Sequence, residues 1–366
     1  MKTKQTIALT LFALAGLVVL PGQAPVPELK RIESEDWGKT ADGTVVQRFT
    51  LRNAHGMVAR IMTYGATITE LDVPDRKGVV ANVVLGADTW DRYLRGFGTP
   101  ASIMGRVANR IGGAAFTLEG VDYKLAANAG ANTIHGGRKG FGVMVWQGKA
   151  VDAGPNAAAV RTTYLSKDGE ENFPGNLTAQ VTYTLTDNNE LRLDYEATTD
   201  KTTIVNLTSH AYFNLAGTGV ANCLDHEIWI DADRYTVADA QLLPTGEIAP
   251  VKGTPLDFTT AATIGSRIDA LKPKMSTYDH NFVLNNGGKS VALAGRATEP
   301  KSGRVMEVRT DQPGMQLYTG NAPHAAFCFE TQHFPDSVHH ADFPTTTLKA
   351  GDTFKSTTIF TFSTKP

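Results

Sequence analysis

Short segments rich in Val, Ile, Thr and aromatic residues, cut every few positions by one of 35 glycines or 17 prolines, fill most of this 366-residue chain. Segments of that length can alternate side chains between two faces, but they are interrupted too often to build long helices. The chain therefore reads as all-β. Its length would allow two domains, yet no low-complexity linker and no fixed-period repeat divides it. One continuous β-rich domain over residues 30–366 is expected. The formal net charge is −2, with neither a basic stripe nor an acidic run, so nothing suits nucleic acid or an anionic membrane surface as a partner.

Residues 1–24 have the pattern of a signal peptide. Lys2 and Lys4 precede an apolar run over residues 7–20, which ends at Pro21, Gly22, Gln23 and Ala24. That run falls short of the roughly 20 residues that a spanning helix needs. A secreted or periplasmic chain without stable membrane insertion after cleavage is expected. Cys223 and Cys328 are the only cysteines. An oxidising compartment permits a disulfide between them, but two buried thiols are the simpler expectation. Residues 26–42 read as a polar lead-in.

The stretch over residues 325–335 holds the most informative carboxylate. Phe327, Phe329 and Thr331 alternate with Cys328, Glu330 and Gln332, so a strand here places aromatic rings on the core side and Glu330 on the other. Partial burial would raise the pKa of Glu330 towards neutrality, as a general base requires; an outward solvated residue or half of an ion pair is the alternative. Within residues 204–217 a strand register puts Thr208, His210 and Tyr212 on one face. A histidine flanked by hydroxyls can be held in one tautomer as a proton donor, although a structural histidine satisfies the same pattern.

Arg106, Asn109 and Arg110 lie in a stretch bounded by glycines and could form a polar clamp for carboxylates or vicinal hydroxyls. Either arginine could instead be structural, tied to backbone carbonyls. Gly136 and Gly137 follow His135 and would let a backbone or a ligand approach the imidazole. Asp279 and His280 open an apolar strand, and Gln316 shares a strand face with Tyr318. The histidines show no H-E-x-x-H or close His-x-His spacing, and His339 and His340, as strand neighbours, would diverge; no metal is expected. No G-x-S-x-G elbow is present. What remains suits proton transfer on an uncharged polyhydroxylated ligand.

Six ordered motifs give these residues a shared context: GRVANRI at residues 105–111, NTIHGG at 132–137, SHAYFNLAG at 209–217, DHNFVL at 279–284, QLYTGN at 316–321 and FETQHFPDSVHHADFP at 329–344. Together they resemble the aldose 1-epimerase, or galactose mutarotase, family. The resemblance implies a galactose mutarotase-like supersandwich of antiparallel strands and cofactor-free interconversion of the anomers of a small-molecule aldose. It implies Glu330 as the base on the anomeric hydroxyl and His210 as the acid on the ring oxygen. It further implies Asn109, Arg110, His135, Tyr212, Asp279 and Gln316 as sugar-binding residues. With those roles, activity is expected to be bounded by a low pKa for Glu330 and a higher one for His210.

Overall fold

The computed structural model describes residues 29–97 and 100–365; the proposed leader at residues 1–24 lies outside them. The largest sheet has nine antiparallel strands. Its central members, in spatial order, are Ala157–Ser166, Leu177–Thr186, Glu190–Thr199, Thr353–Thr364 and Arg304–Thr310. In Leu177–Thr186 the alternation is complete: Leu177, Ala179, Val181, Tyr183 and Leu185 are buried, and each intervening residue is partly exposed. A period of two with one wet face is what an antiparallel sheet covered on a single side requires.

Two smaller sheets supply the cover. A five-stranded meander runs from Ile32–Lys39 through Val45–Arg52, Val58–Met62 and Thr67–Pro74 to Val80–Asn82. The expected polar lead-in is thus partly an edge strand, paired with Val45–Arg52 along nearly its whole length. Backbone pairing recruits a segment whose side chains carry little strand signal. The other cover is a six-stranded sheet ordered Tyr212–Phe213, Phe327–Gln332, Gly314–Tyr318, Asp279–Val283, Arg234–Ala238 and Pro244–Pro250.

Phe327 and Phe329 turn inward and join one hydrophobic cluster with Met306, Val308, Phe360 and Phe362 of the nine-stranded sheet. Thr331 meets Thr358 there through their hydroxyls at 2.5 Å. The opposite face of the Phe327–Gln332 strand is also covered, and all six residues are buried. Loops and two-residue strands from residues 100–142 and 203–213 close over that face and form the walls of a cleft. Among the described residues no helix is long and apolar enough to cross a membrane.

Candidate active site

The cleft has a volume of about 610 Å³ and contains Glu330, His210, His135, Arg110, Asn109, Asp279, Tyr212 and Tyr318 in its lining. That size suits a small organic ligand. Glu330 sits at the middle of its strand and is 2% exposed. In register beside it are Gln316 and then Asn281, so one row of polar side chains crosses three strands. Among the described residues, Glu330 Oε2, Gln316 Oε1 and Asn281 Oδ1 have no hydrogen-bond partner.

His210 arrives from the other side. Its segment is not one continuous strand: Thr208–Ser209 pairs with Ile103–Met104, whereas Tyr212–Phe213 pairs with Phe327 and Cys328. The backbone N–H of His210 donates to Ser102 O at 3.0 Å, and its carbonyl accepts from Ala101 N at 2.9 Å. Its imidazole stacks on Tyr212, with centroids 4.8 Å apart, and meets His135 and Tyr318 edge-on. Of the expected hydroxyl neighbours, Thr208 Oγ1 is buried without a partner among the described residues, and Tyr212 meets the imidazole through its ring face. Instead Nε2 faces Glu330 Oε1 at 3.5 Å, and Nδ1 faces Cys328 Sγ at 3.5 Å. A nitrogen–oxygen separation of that length is too long for a strong hydrogen bond.

The two motif segments that form the adjacent wall reach their positions through left-handed backbone at Asn109 (φ 58°) and His135 (φ 51°). Such conformations are sparsely populated away from glycine and collect at ligand sites. A side chain at Gly136 would run into the Gly105 carbonyl, so this glycine admits a neighbouring backbone. Asn109 N–H donates to His135 Nδ1 at 3.2 Å, which puts the hydrogen of the neutral ring on Nε2. His135, His210 and Glu330 each offer a donor atom, all within 4.8 Å of one another. The Asn109 contact makes His135 Nε2 a hydrogen-bond donor, a poor match to a metal ligand.

Arg110 and Asp279 form a 3.4 Å ion pair across the cleft. Asp279 Oδ1 also accepts from Gln316 Nε2 at 2.5 Å. Gln316 is 3% exposed and is held by Asp279, which lines the cleft, while its Oε1 has no partner among the described residues. Arg106 leaves the clamp altogether. It is 2% exposed, and its guanidinium donates to Pro174 O, Gly175 O, Ser166 O, Ser166 Oγ and Thr203 Oγ1 at 2.6–3.2 Å.

The electrostatics reverse the expected order of the two titrating groups. Burial, reinforced by the Asp279 charge and only partly offset by Arg110, pushes the Glu330 carboxyl well above its usual range. Burial lowers His210 to about 4, against opposing contributions from a backbone hydrogen bond and Asp279. His135 also falls well below its ordinary value, through burial first and then through His210 and Arg110. One proton on the pair is therefore held mainly by Glu330.

A model of the family described as aldose 1-epimerase matches residues 47–361, which include every one of these cleft residues. The chain belongs to the aldose 1-epimerase family. Galactose mutarotase from Bos taurus is 42% identical over 332 residues, spanning 87% of this chain and 94% of that protein. Aldose 1-epimerase from Escherichia coli (strain K12) is 33% identical, spanning 88% and 96%. Galactose 1-epimerase from Lactobacillus acidophilus NCFM superposes with a TM-score of 0.79 at 28% identity, covering 92% of this chain and 99% of that one. Family membership makes the chain an isomerase that interconverts the anomers of aldoses.

The sequence reading brought together Glu330, His210, Asn109, Arg110, His135, Tyr212 and Asp279, all of which line this one cleft. It missed Tyr318 as a cleft wall and Cys328 as a neighbour of His210. The strand alternation that singled out Glu330 also places Cys328 on its face. His339 and His340 do not diverge on a strand: both lie at the turn Ser337–His339 and approach Asp336. Cys223 and Cys328 are both buried free thiols.

Proposed function

We propose that Glu330 and His210 are the proton-transfer groups of this isomerase and that its substrates are free aldoses such as glucose and galactose. The observation that carries the assignment is the facing of a buried carboxyl and a buried imidazole at 3.5 Å inside the cleft. Glu330 as carboxylate takes the proton of the anomeric hydroxyl; the C1–O5 bond breaks as C1=O1 forms, and His210 as imidazolium protonates O5. Rotation about C1–C2 and closure with the roles reversed give the other anomer. The two groups share one proton before and after opening, so the step from His210⁺/Glu330⁻ to His210/Glu330–H conserves charge. Raised acidity on His210 and raised basicity on Glu330 both favour that step. His135 Nε2–H adds a donor for the ring oxygen, while Arg110, Asn109 and Asp279 serve the hydroxyls.

Among the described residues the cleft lining contains one arginine, and Asp279 already pairs with it, which favours an uncharged sugar over a sugar phosphate. Polarimetry on freshly dissolved α-D-glucose and α-D-galactose, after subtraction of spontaneous mutarotation, tests the reading. Acceleration by the protein and near-background rates with Glu330→Gln are expected; no acceleration on either sugar overturns the substrate assignment. The leader pattern at residues 1–24 supports action on sugars outside the cytoplasm. Fractionation with N-terminal sequencing of the mature chain checks this, and an intact N-terminus in the cytosolic fraction refutes it.

A further inference from the structure

Glu330 accounts for only one nitrogen of His210. The other, Nδ1, lies 3.5 Å from Cys328 Sγ. Cys328 and Glu330 are two positions apart on one extended strand, so both side chains leave the same face, separated by roughly 7 Å of backbone rise. That spacing matches the two nitrogen-to-partner contacts made by a single imidazole laid along the strand. Tyr212, which pairs with Cys328 in the sheet, stacks beneath the ring at an interplanar angle of 16° and fixes its plane. The groups around His210 are Cys328 and Glu330 from one strand, Tyr318 from the next, Tyr212 beside it, His135 from the facing loop, and Asp279 farther off. Among the described residues Cys328 is the side chain that reaches Nδ1, and the carbonyl of His210 itself also lies within hydrogen-bonding reach of the ring.

We propose, building on the assignment of His210 as the acid, that Cys328 is a positioning residue whose sulfur accepts the Nδ1–H of His210 and keeps Nε2 as the nitrogen that gives and takes the proton. During ring opening the Nε2–H bond breaks and an O5–H bond forms, leaving a neutral imidazole that still carries Nδ1–H. Closure returns the O5 proton to Nε2. No proton passes through sulfur and no electrons are exchanged with it. The thiol remains protonated because burial raises it well above its ordinary range. A neutral sulfur is a weak acceptor. It fixes the tautomer without stabilising imidazolium as a carboxylate partner would, so His210 remains a strong acid towards a sugar oxygen.

The test uses protein labelled with ¹⁵N at histidine, as wild type, Cys328→Ser and Cys328→Ala. Imidazole nitrogen shifts are read without sugar near neutral pH, and rates are read by polarimetry across pH. Wild type and Cys328→Ser are expected to show His210 protonated at Nδ1. In Cys328→Ala the Nε2–H form is expected to appear, with kcat falling about tenfold and KM changing less. Oxygen accepts more strongly than sulfur, so Cys328→Ser should move the acid limb of the rate profile to higher pH. Wild-type His210 protonated at Nε2, or an alanine variant with unchanged tautomer and acid limb, overturns the proposal. If the alanine variant does not fold, the wild-type and serine shifts decide. Tautomer signals need no turnover, so absent wild-type catalysis would refute the functional reading separately.

Discussion

Arg106 and Glu330 are equally buried charged residues, and they are solvated by the protein in opposite ways. Six hydrogen bonds to carbonyls and hydroxyls of residues 166–203 surround the Arg106 guanidinium, and Phe173 lies against it. Burial lowers it to about 10, which still leaves it charged at neutral pH. Glu330 has an unpartnered Oε2 and one long contact to His210. A buried group most of whose hydrogen bonds are filled holds the fold together, even with Arg106 Nε left over; one with few retains its capacity to react with a ligand. The same contrast separates the two arginines of one motif, since Arg110 faces Asp279 across the cleft and Arg106 ties loops together behind it.

The largest expected effect breaks the Glu330 side of the comparison. Glu330→Gln should lower kcat by about 10² to 10⁴ and leave the protein as stable or more stable at neutral pH. The sign follows from linkage: a carboxyl raised on folding ionises more readily in the unfolded chain, so its contribution to stability falls as pH rises above the ordinary carboxyl range. Denaturant titration beside polarimetry checks both halves, and a strongly destabilised variant would place Glu330 with Arg106. The converse substitution, Arg106→Ala, strands several buried acceptors and should cost about 3 kcal/mol or more. Its folded fraction should keep its rate per molecule; a loss of rate without loss of stability would break the distinction.

The pH dependence sharpens the comparison further. With Glu330 and His210 as the proposed proton-transfer groups, turnover requires one proton on the pair, so kcat plotted against pH should be bell-shaped, with two limbs that belong to the pair. The acid limb, where a second proton is added, should lie near the value of about 4 for His210. The alkaline limb, where the last proton leaves, should lie above the ordinary range of a carboxyl. Because the Asp279 charge helps to raise Glu330, Asp279→Asn should shift that limb to lower pH, and an upward shift would contradict the electrostatic order.

The smallest effect concerns the whole molecule. Burial lowers His210, His226, His280 and His333 each to about 4, and lowers His135 well below its ordinary value. Unfolded histidines bind protons from about pH 6.5 downward, so these five groups reduce stability as pH falls from that value towards 4. The urea midpoint should fall between pH 7 and pH 5. A rising midpoint would mean that the carboxyl contribution, which has the opposite sign, dominates this window.

Much of the site was legible because strand periodicity carries direction. The alternation in residues 327–332 put Glu330 and Cys328 opposite the phenylalanines, and Gln316 opposite Leu317, as the sheet register has them. Ordered motifs assembled the remaining cleft residues. Spacing and composition did not separate Arg106 from Arg110, although the family resemblance named only Arg110, because that distinction depends on which distant carbonyls reach each guanidinium. Nor did they show that Gln316 is held by Asp279, or that the segment around His210 splits between two pairing partners.

The amino-acid sequence by itself determined the all-β class and the inward and outward faces of the central strands, because these follow from side-chain periodicity and local turn chemistry; the set of cleft residues followed from the resemblance of its ordered motifs to the family. Tertiary structure alone decided the depth of burial and the contacts of each buried polar atom. Those two quantities set the proton's place on the pair: Glu330 is covered on both faces of its strand and lacks a full set of partners, so burial raises it while the same burial lowers His210. Desolvation depends on everything packed around a group, most of it far away in the chain, and no local pattern of residues records it.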